Sequence, residues 1–122
     1  LERKGSSKID WRGCTGGVAC GPRLIRNGRI DINVQRDGFG KRASVIEATR
    51  CAAGATRDGR LVLLAVREPV TLKRLAEAMR ELQAIDAINL DGGALCGFYL
   101  EGKSIAEPIL PINNVIAVYK RK

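Results

Sequence analysis

Asp91 is the residue whose type and spacing single it out for chemistry. It follows a short apolar run, Asp86-Ala87-Ile88-Asn89-Leu90, and leads through Gly92-Gly93 into a second, Leu95-Cys96-Gly97-Phe98-Tyr99-Leu100. A carboxylate at the end of a buried strand, followed by glycines that let a ligand approach the backbone, is a place for chemistry. Asp-Gly between apolar runs is equally the commonest hairpin-turn signal, and local sequence alone favours the plain turn.

The other reactive side chains narrow the options. The chain has no histidine, which removes the usual general base and every Ser-His or Cys-His nucleophile pair. Proton transfer would fall to carboxylates, Lys, Tyr or Cys. Cys14, Cys20, Cys51 and Cys96 are widely spaced with no C-x-x-C pair, so a structural zinc site is not expected. No metal or other cofactor is called for. The four thiols permit three disulfide pairings, or none in a reducing compartment.

The elements that must position these residues follow from the patterning. A chain of 122 residues forms one small domain or part of a larger one, and 45% hydrophobic content is ordinary for a globular protein. Residues 1–16 read as a flexible N-terminal segment and 17–122 as the domain. Val18 to Ile25 reads as a strand interrupted at Gly21-Pro22, and Arg26 to Arg29 as a turn. Ile30 to Val34 alternates strictly, as a half-buried strand does. Gln35 to Arg42 reads as a surface loop. Cys51–Thr56 and Leu61–Val66, joined by Arg57-Asp58-Gly59-Arg60, form a buried hairpin that Pro69 should end.

Thr71 caps a helix expected to reach about Leu82, with Leu72, Leu75, Ala76, Met79 and Leu82 on one face. Glu101-Gly102-Lys103 closes a further hairpin, Pro108 and Pro111 mark an irregular crossing, and Asn114 to Tyr119 reads as the final strand. The expected fold is α+β: a mainly antiparallel sheet of about seven strands with one helix packed on a face.

The formal charge of +8 suits anionic partners. The basic residues are scattered and the few aromatics form no RNA-recognition pattern, so nucleic acid ranks last among partners. No run of 18 apolar residues spans a membrane, and no signal peptide is visible. The chain opens on Leu1 rather than Met, as a processed or excised product would.

Three segments resemble the phosphodiester glycosidase family, whose bacterial members are often exopolysaccharide-related. Cys20-Gly21-Pro22-Arg23-Leu24-Ile25-Arg26-Asn27-Gly28 resembles its Gly-Pro-x-Leu-[Val/Ile]-x-x-Gly element. Arg50-Cys51-Ala52-Ala53-Gly54 through Asp58-Gly59-Arg60-Leu61 is similar to its Arg-Thr-Ala-[Ile/Val]-Gly-x-x-x-Asp-Gly-x-Leu segment. Thr71-Leu72 through Asn89-Leu90-Asp91-Gly92-Gly93, with Glu101-Gly102 and Asn113 to Val118, is similar to its helix, its Asn-Leu-Asp-Gly-Gly-Gly-Ser-[Ser/Thr] signature and its closing strand.

The resemblance implies a hydrolase releasing a sugar from a sugar-1-phosphodiester, secreted or periplasmic. It implies Asp91 as the catalytic carboxylate and Arg50, Gly21, Pro22, Asn89, Gly92 and Gly93 as substrate-binding residues. Arg suits a phosphodiester oxygen pair, and a nearby carboxylate can act as acid, base or nucleophile at the anomeric carbon. Glu47, Asp86 and Asp10 are candidates for a second carboxylate.

The chain departs from the family at three places. Ala94, Leu95 and Cys96 stand where the signature has Gly-Ser-[Ser/Thr], Cys51 stands for Thr, and the family's upstream Asn-Gly-Gly-[Tyr/Phe]-Phe motif has no counterpart. An upstream segment or second chain would complete the site. Cys51 and Cys96 replace residues of two motifs expected to border one pocket, which implies a disulfide or a shared thiol role. The second reading is a non-catalytic relative that binds anionic glycans or cell-envelope polymers, and the third is nucleic-acid binding through the basic surface.

Overall fold

The computed structural model describes residues 12–121. Its centre is the hairpin formed by β3 (Ala48–Thr56) and β4 (Leu61–Val70), in register from Cys51 opposite Ala65 to Ala55 opposite Leu61. On the other side of β3 lies β5 (Ala84–Asn89), antiparallel, with Ala52 opposite Asn89 and Gly54 opposite Ala87. Then come β1 (Arg23–Arg26) and β2 (Arg29–Ile30), giving a five-stranded sheet in the order β2-β1-β5-β3-β4. A separate two-stranded sheet pairs β6 (Phe98–Leu100) with β7 (Lys103–Ala106) around the Glu101-Gly102 turn. Among the described residues every pairing is antiparallel, and with the single α-helix these seven strands make the expected α+β fold.

The helix α1 (Leu72–Glu81) starts where its cap dictates, with the Thr71 Oγ1 accepting the Arg74 N–H at 3.3 Å. Its apolar stripe of Leu72, Leu75, Ala76 and Met79 is fully buried against Leu24, Ala52, Ala84 and Ala87 of the sheet. Small residues under the helix let it approach closely. A Cβ on Gly54 would stand 2.7 Å from both the Met79 Cε and the Asp86 carbonyl oxygen. On the exposed side, Arg74 and Glu77 pair at 3.3 Å, a contribution of roughly 0.2–0.5 kcal/mol.

Several elements differ from the sequence expectation, each for an identifiable reason. The first strand begins at Arg23 rather than Val18, since Pro22 has no N–H to give a ladder and Val18 is exposed. Pro69 does not end β4. Among the described residues that strand pairs only with β3, and an edge strand tolerates a proline on its solvent side. Leu82 lies past the last helical turn and is 47% exposed, off the buried stripe. Leu95 to Leu100 is not one strand: a 3-10 turn covers Gly93–Leu95 and pairing starts only at Phe98. Because β5 and β6 belong to different sheets, Asp91 does not sit in a hairpin turn. Asn114 to Tyr119 has strand patterning but no ladder partner among the described residues.

The alternating Ile30–Val34 run forms strand only at Ile30. The Asp31 N–H still reaches the Leu24 carbonyl, and the chain then turns under a charged clamp. Arg36 donates to Asp31 at 2.7 Å and to Asp37 at 2.9 Å, and Asp37 also accepts the Arg23 backbone N–H at 3.0 Å. The alternation buries Val34 in the core from a loop rather than a strand. Asp37 is itself buried within what reads as surface loop. Burial alone would raise its pKa, but the Arg36 and Arg23 hydrogen bonds and charges overrule that and hold it below the ordinary aspartate value.

Gly54→Ala, set against an adjacent-strand carbonyl that cannot rotate away, should cost about 1–3 kcal/mol in urea unfolding. Asp37→Asn should cost about 1.5–3 kcal/mol near neutral pH, because it removes charged hydrogen bonds in a buried place. A depressed carboxyl pKa stabilises above its unfolded value and is lost as pH falls through the folded one. The wild type should therefore lose stability more steeply than Asp37→Asn below about pH 4, in a pH series of unfolding midpoints.

Candidate functional site

The antiparallel pairing of β3 with β5 brings the start of one strand beside the end of the other, so Thr49-Arg50-Cys51 lies next to Leu90-Asp91-Gly92-Gly93. The Leu90 N–H donates to the Cys51 carbonyl at 2.8 Å. The Thr49 hydroxyl donates to the Gly93 carbonyl at 3.1 Å. A Cβ on Gly92 would lie 2.6 Å from the Thr49 carbonyl oxygen, so glycine is required there by the chain's own backbone. Gly93 is different: its φ is +60°, it is exposed, and nothing stands within 4 Å of a Cβ position. Asp91 is exposed.

The loop after Asp91 folds back onto β3. Leu95 and Cys96 close the 3-10 turn with N–H bonds to Gly92 and Gly93 at 3.2 and 3.1 Å. Ile109 and Leu110 both donate to the Ala94 carbonyl, and a Cβ on Gly97 would collide with Ile112 at 2.6 Å. Beneath this cover the Cys51 and Cys96 Sγ atoms are 2.9 Å apart, both thiols free and buried. Burial, with the Cys96 thiol as neighbour, pushes the Cys51 thiol up to about 12.

Arg50 extends away from the thiol pair. Its guanidinium donates to the Ile46 carbonyl at 2.8 Å and the Val70 carbonyl at 3.3 Å, and burial lowers its pKa. No ion pair joins it to Asp91. Asn89 is buried and serves the chain: its N–H donates to the Pro22 carbonyl at 3.0 Å and its Nδ2 to the Gly21 carbonyl at 2.9 Å. Its Oδ1 is buried without a partner among the described residues. Gly21 makes room for Phe39, whose ring a Cβ would meet at 2.8 Å, and Pro22 is buried. Of the residues singled out from sequence, Asp91 and Gly93 are exposed, while Gly21, Pro22, Asn89 and Gly92 are bound up in holding the loops.

The three candidate second carboxylates separate. Asp86 lies five residues back along β5, roughly 16 Å at ~3.3 Å per residue, and accepts the Asn27 N–H. That exceeds the ~5–9.5 Å that glycosidic carboxyl pairs need. Glu47 is exposed at the same sheet end as Asp91. Asp10 lies outside the described residues.

Two contributors escaped sequence reasoning. Thr49 is one residue before a recognised motif, and only the β3–β5 register makes it a support for Gly93. Cys20 adjoins the Gly21-Pro22 element; burial and then the nearby Asp91 charge raise its pKa. A shallow groove of about 330 Å³ lined by Thr56, Arg57, Asp58, Arg60 and Gln83 lies at the opposite end of the sheet. Among the described residues, no helix is long and apolar enough to cross a membrane, and no three metal-ligating side chains cluster.

The family model for phosphodiester glycosidases matches residues 3–119. The chain belongs to the phosphodiester glycosidase family. It is similar to N-acetylglucosamine-1-phosphodiester alpha-N-acetylglucosaminidase of Mus musculus and Bos taurus, at 36% and 38% identity over 100 residues and 70% of this chain. The aligned part is 19% of each of those relatives, so this chain spans about a fifth of their length. Among solved structures it resembles the zebrafish enzyme's catalytic domain auto-inhibited by pro-peptide, with TM-score 0.66 and 27% identity over 75% of this chain and 34% of that one. A hypothetical protein from Synechocystis matches with TM-score 0.65 and 30% identity, over 72% of this chain and 17% of that one.

The geometry separates the two signature glycines. Gly92→Ala should displace the loop from Thr49 and cost about 1–3 kcal/mol, as overpacking does. Gly93→Ala has room and should cost only the left-handed backbone penalty, about 1–2 kcal/mol. Amide shifts of Thr49 and Arg50 should move in the Gly92 variant and stay nearly in place in the Gly93 variant.

Proposed function

We infer that this domain belongs to a secreted or periplasmic hydrolase that releases a sugar, N-acetylglucosamine or a relative, from a sugar-1-phosphodiester. The observation that carries the reading is Asp91: an exposed carboxylate at the end of a central strand, beside the open backbone of Gly93, in the signature of a glycosidase family. The relatives' names supply the substrate class.

In this reading Asp91 exchanges a proton with the bond between anomeric carbon and phosphate oxygen, or attacks that carbon. Gly93 lets the sugar ring approach the backbone. Arg50, anchored by the Ile46 and Val70 carbonyls, supplies its remaining N–H donors to the phosphodiester. Glu47, or a carboxylate from the part of the domain this chain does not span, completes the pair. The walls of the pocket come from that same part, as an upstream segment or a second chain.

A second reading has its own observation. Ala94, Leu95 and Cys96 replace the signature's small and hydroxyl residues, and a relative so altered could bind anionic glycans without turning them over.

Hydrolysis of UDP-N-acetylglucosamine and of a simpler sugar-1-phosphodiester, followed by NMR, tests both readings. Asp91→Asn should lower free-sugar release by about 10²–10⁴-fold, the range of a positioned acid or base. Release unchanged by that substitution would contradict the role given to Asp91. Binding without release by either protein would favour the glycan-binding reading.

A further inference from the structure

Cys51 holds both ends of the segment that carries Asp91. Its carbonyl accepts the Leu90 N–H at 2.8 Å, just before the carboxylate. Its Sγ stands 2.9 Å from the Cys96 Sγ, just after the 3-10 turn, and 3.7 Å from the Gly97 carbonyl. Thr49 secures the middle through Gly93. The segment 90–97 is therefore a loop lashed to two residues of β3, Thr49 and Cys51, and one of its lashings consists of two thiols.

The two sulfurs are already closer than unbonded sulfurs rest comfortably, and a bonded pair lies at about 2.05 Å. The gap left to close is about 0.9 Å. Nothing else in their surroundings gives two buried thiols a role: among the described residues no third metal-ligating group stands with them, and Asp91 is exposed where they are buried. Of the four free cysteines only Cys51 and Cys96 are buried; Cys14 is exposed and Cys20 half-buried.

We propose that Cys51 and Cys96 form a reversible disulfide that staples the Asp91 loop to the central strand. A small-molecule disulfide, of which oxidised glutathione is the type, is the oxidant. One cysteine, exposed by transient opening of the loop and deprotonated, attacks a glutathione sulfur and expels one glutathione thiolate. The second cysteine, losing its proton, attacks the mixed disulfide and expels the other. Two protein thiols are oxidised to one S–S bond, and one glutathione disulfide is reduced to two thiols. In the closed loop the high pKa of Cys51 keeps it protonated, so oxidation waits on opening, and reduction waits on the same opening because a glutathione thiolate must reach a buried sulfur. The inference is independent of the catalytic reading, because the staple would serve a binding loop equally.

The chain, equilibrated in glutathione buffers of graded ratio, quenched with an alkylating agent and digested without reduction, gives the answer directly. Before alkylation the oxidised form should be about 2 Da lighter by intact mass, and after it the chain should carry two fewer alkyl groups, with Cys51 and Cys96 peptides joined and Cys14 and Cys20 alkylated. Its Leu90 and Cys96 amides should exchange at least about tenfold more slowly than in the reduced form. Its Tm should be higher by about 10 °C or more, given the long chain segment the bond encloses. Both thiols alkylated at every ratio, only mixed disulfides with glutathione, or linkage to Cys14 or Cys20 would overturn the proposal. Linked peptides with unchanged amide exchange would overturn the staple. None of these readouts depends on hydrolysis, so failure here and failure of the proposed activity are distinguishable.

Discussion

The register between β3 and β5 is the constraint on which the rest of the molecule depends. With Ala52 opposite Asn89, the carbonyl of Cys51 meets Leu90, Thr49 meets Gly93, and the Cys51 side chain falls on the face that Cys96 covers. A slip of one residue would reverse every side chain of β5 between the faces. Ala84 and Ala87 would leave the helix, and Asp91 would emerge one position away from its supports. Two things resist that slip: the small residues packed under Met79 on one face, and the backbone of Gly21 and Pro22 gripped by Asn89 at the strand's end.

The division of labour within the signature is the main structural lesson. Asn89 and Gly92 look from sequence like ligand contacts, yet their atoms are spent on holding loops. Asn89 ties down the Gly21-Pro22 element, and Gly92 fits against the Thr49 carbonyl. What stays exposed is the carboxylate and the one glycine with left-handed backbone and empty space around it. The Asn89 Oδ1 is the exception, a buried acceptor with no partner among the described residues, and it marks a spot where a donor would be favourable.

How much of this was legible in the sequence depended on range. The helix and the β3–β4 hairpin were readable because cap, turn and periodicity are local: Thr71 announces one, and Asp58-Gly59 the other. The Ile30–Val34 alternation misled because it records which side chains are buried. It does not record that an Arg36 clamp on Asp31 and Asp37 would curl the backbone away from the sheet. Asn114 to Tyr119 misled in the opposite way, with strand patterning but no partner strand among the described residues. Asp91 could be picked out, but its neighbours Thr49 and Cys20 could not, since only long-range pairing brings them there. The +8 charge revealed little about the site, where Arg50 is partly withdrawn from water by its own backbone contacts.

The measurement that bears most directly on this account is an amide-shift map of the isotopically labelled chain titrated with a methyl phosphodiester of N-acetylglucosamine 1-phosphate. Shifts concentrated in residues 49–51 and 90–97 are the expected result. Shifts confined to the Thr56–Arg60 turn and Gln83, at the opposite end of the sheet, would contradict it.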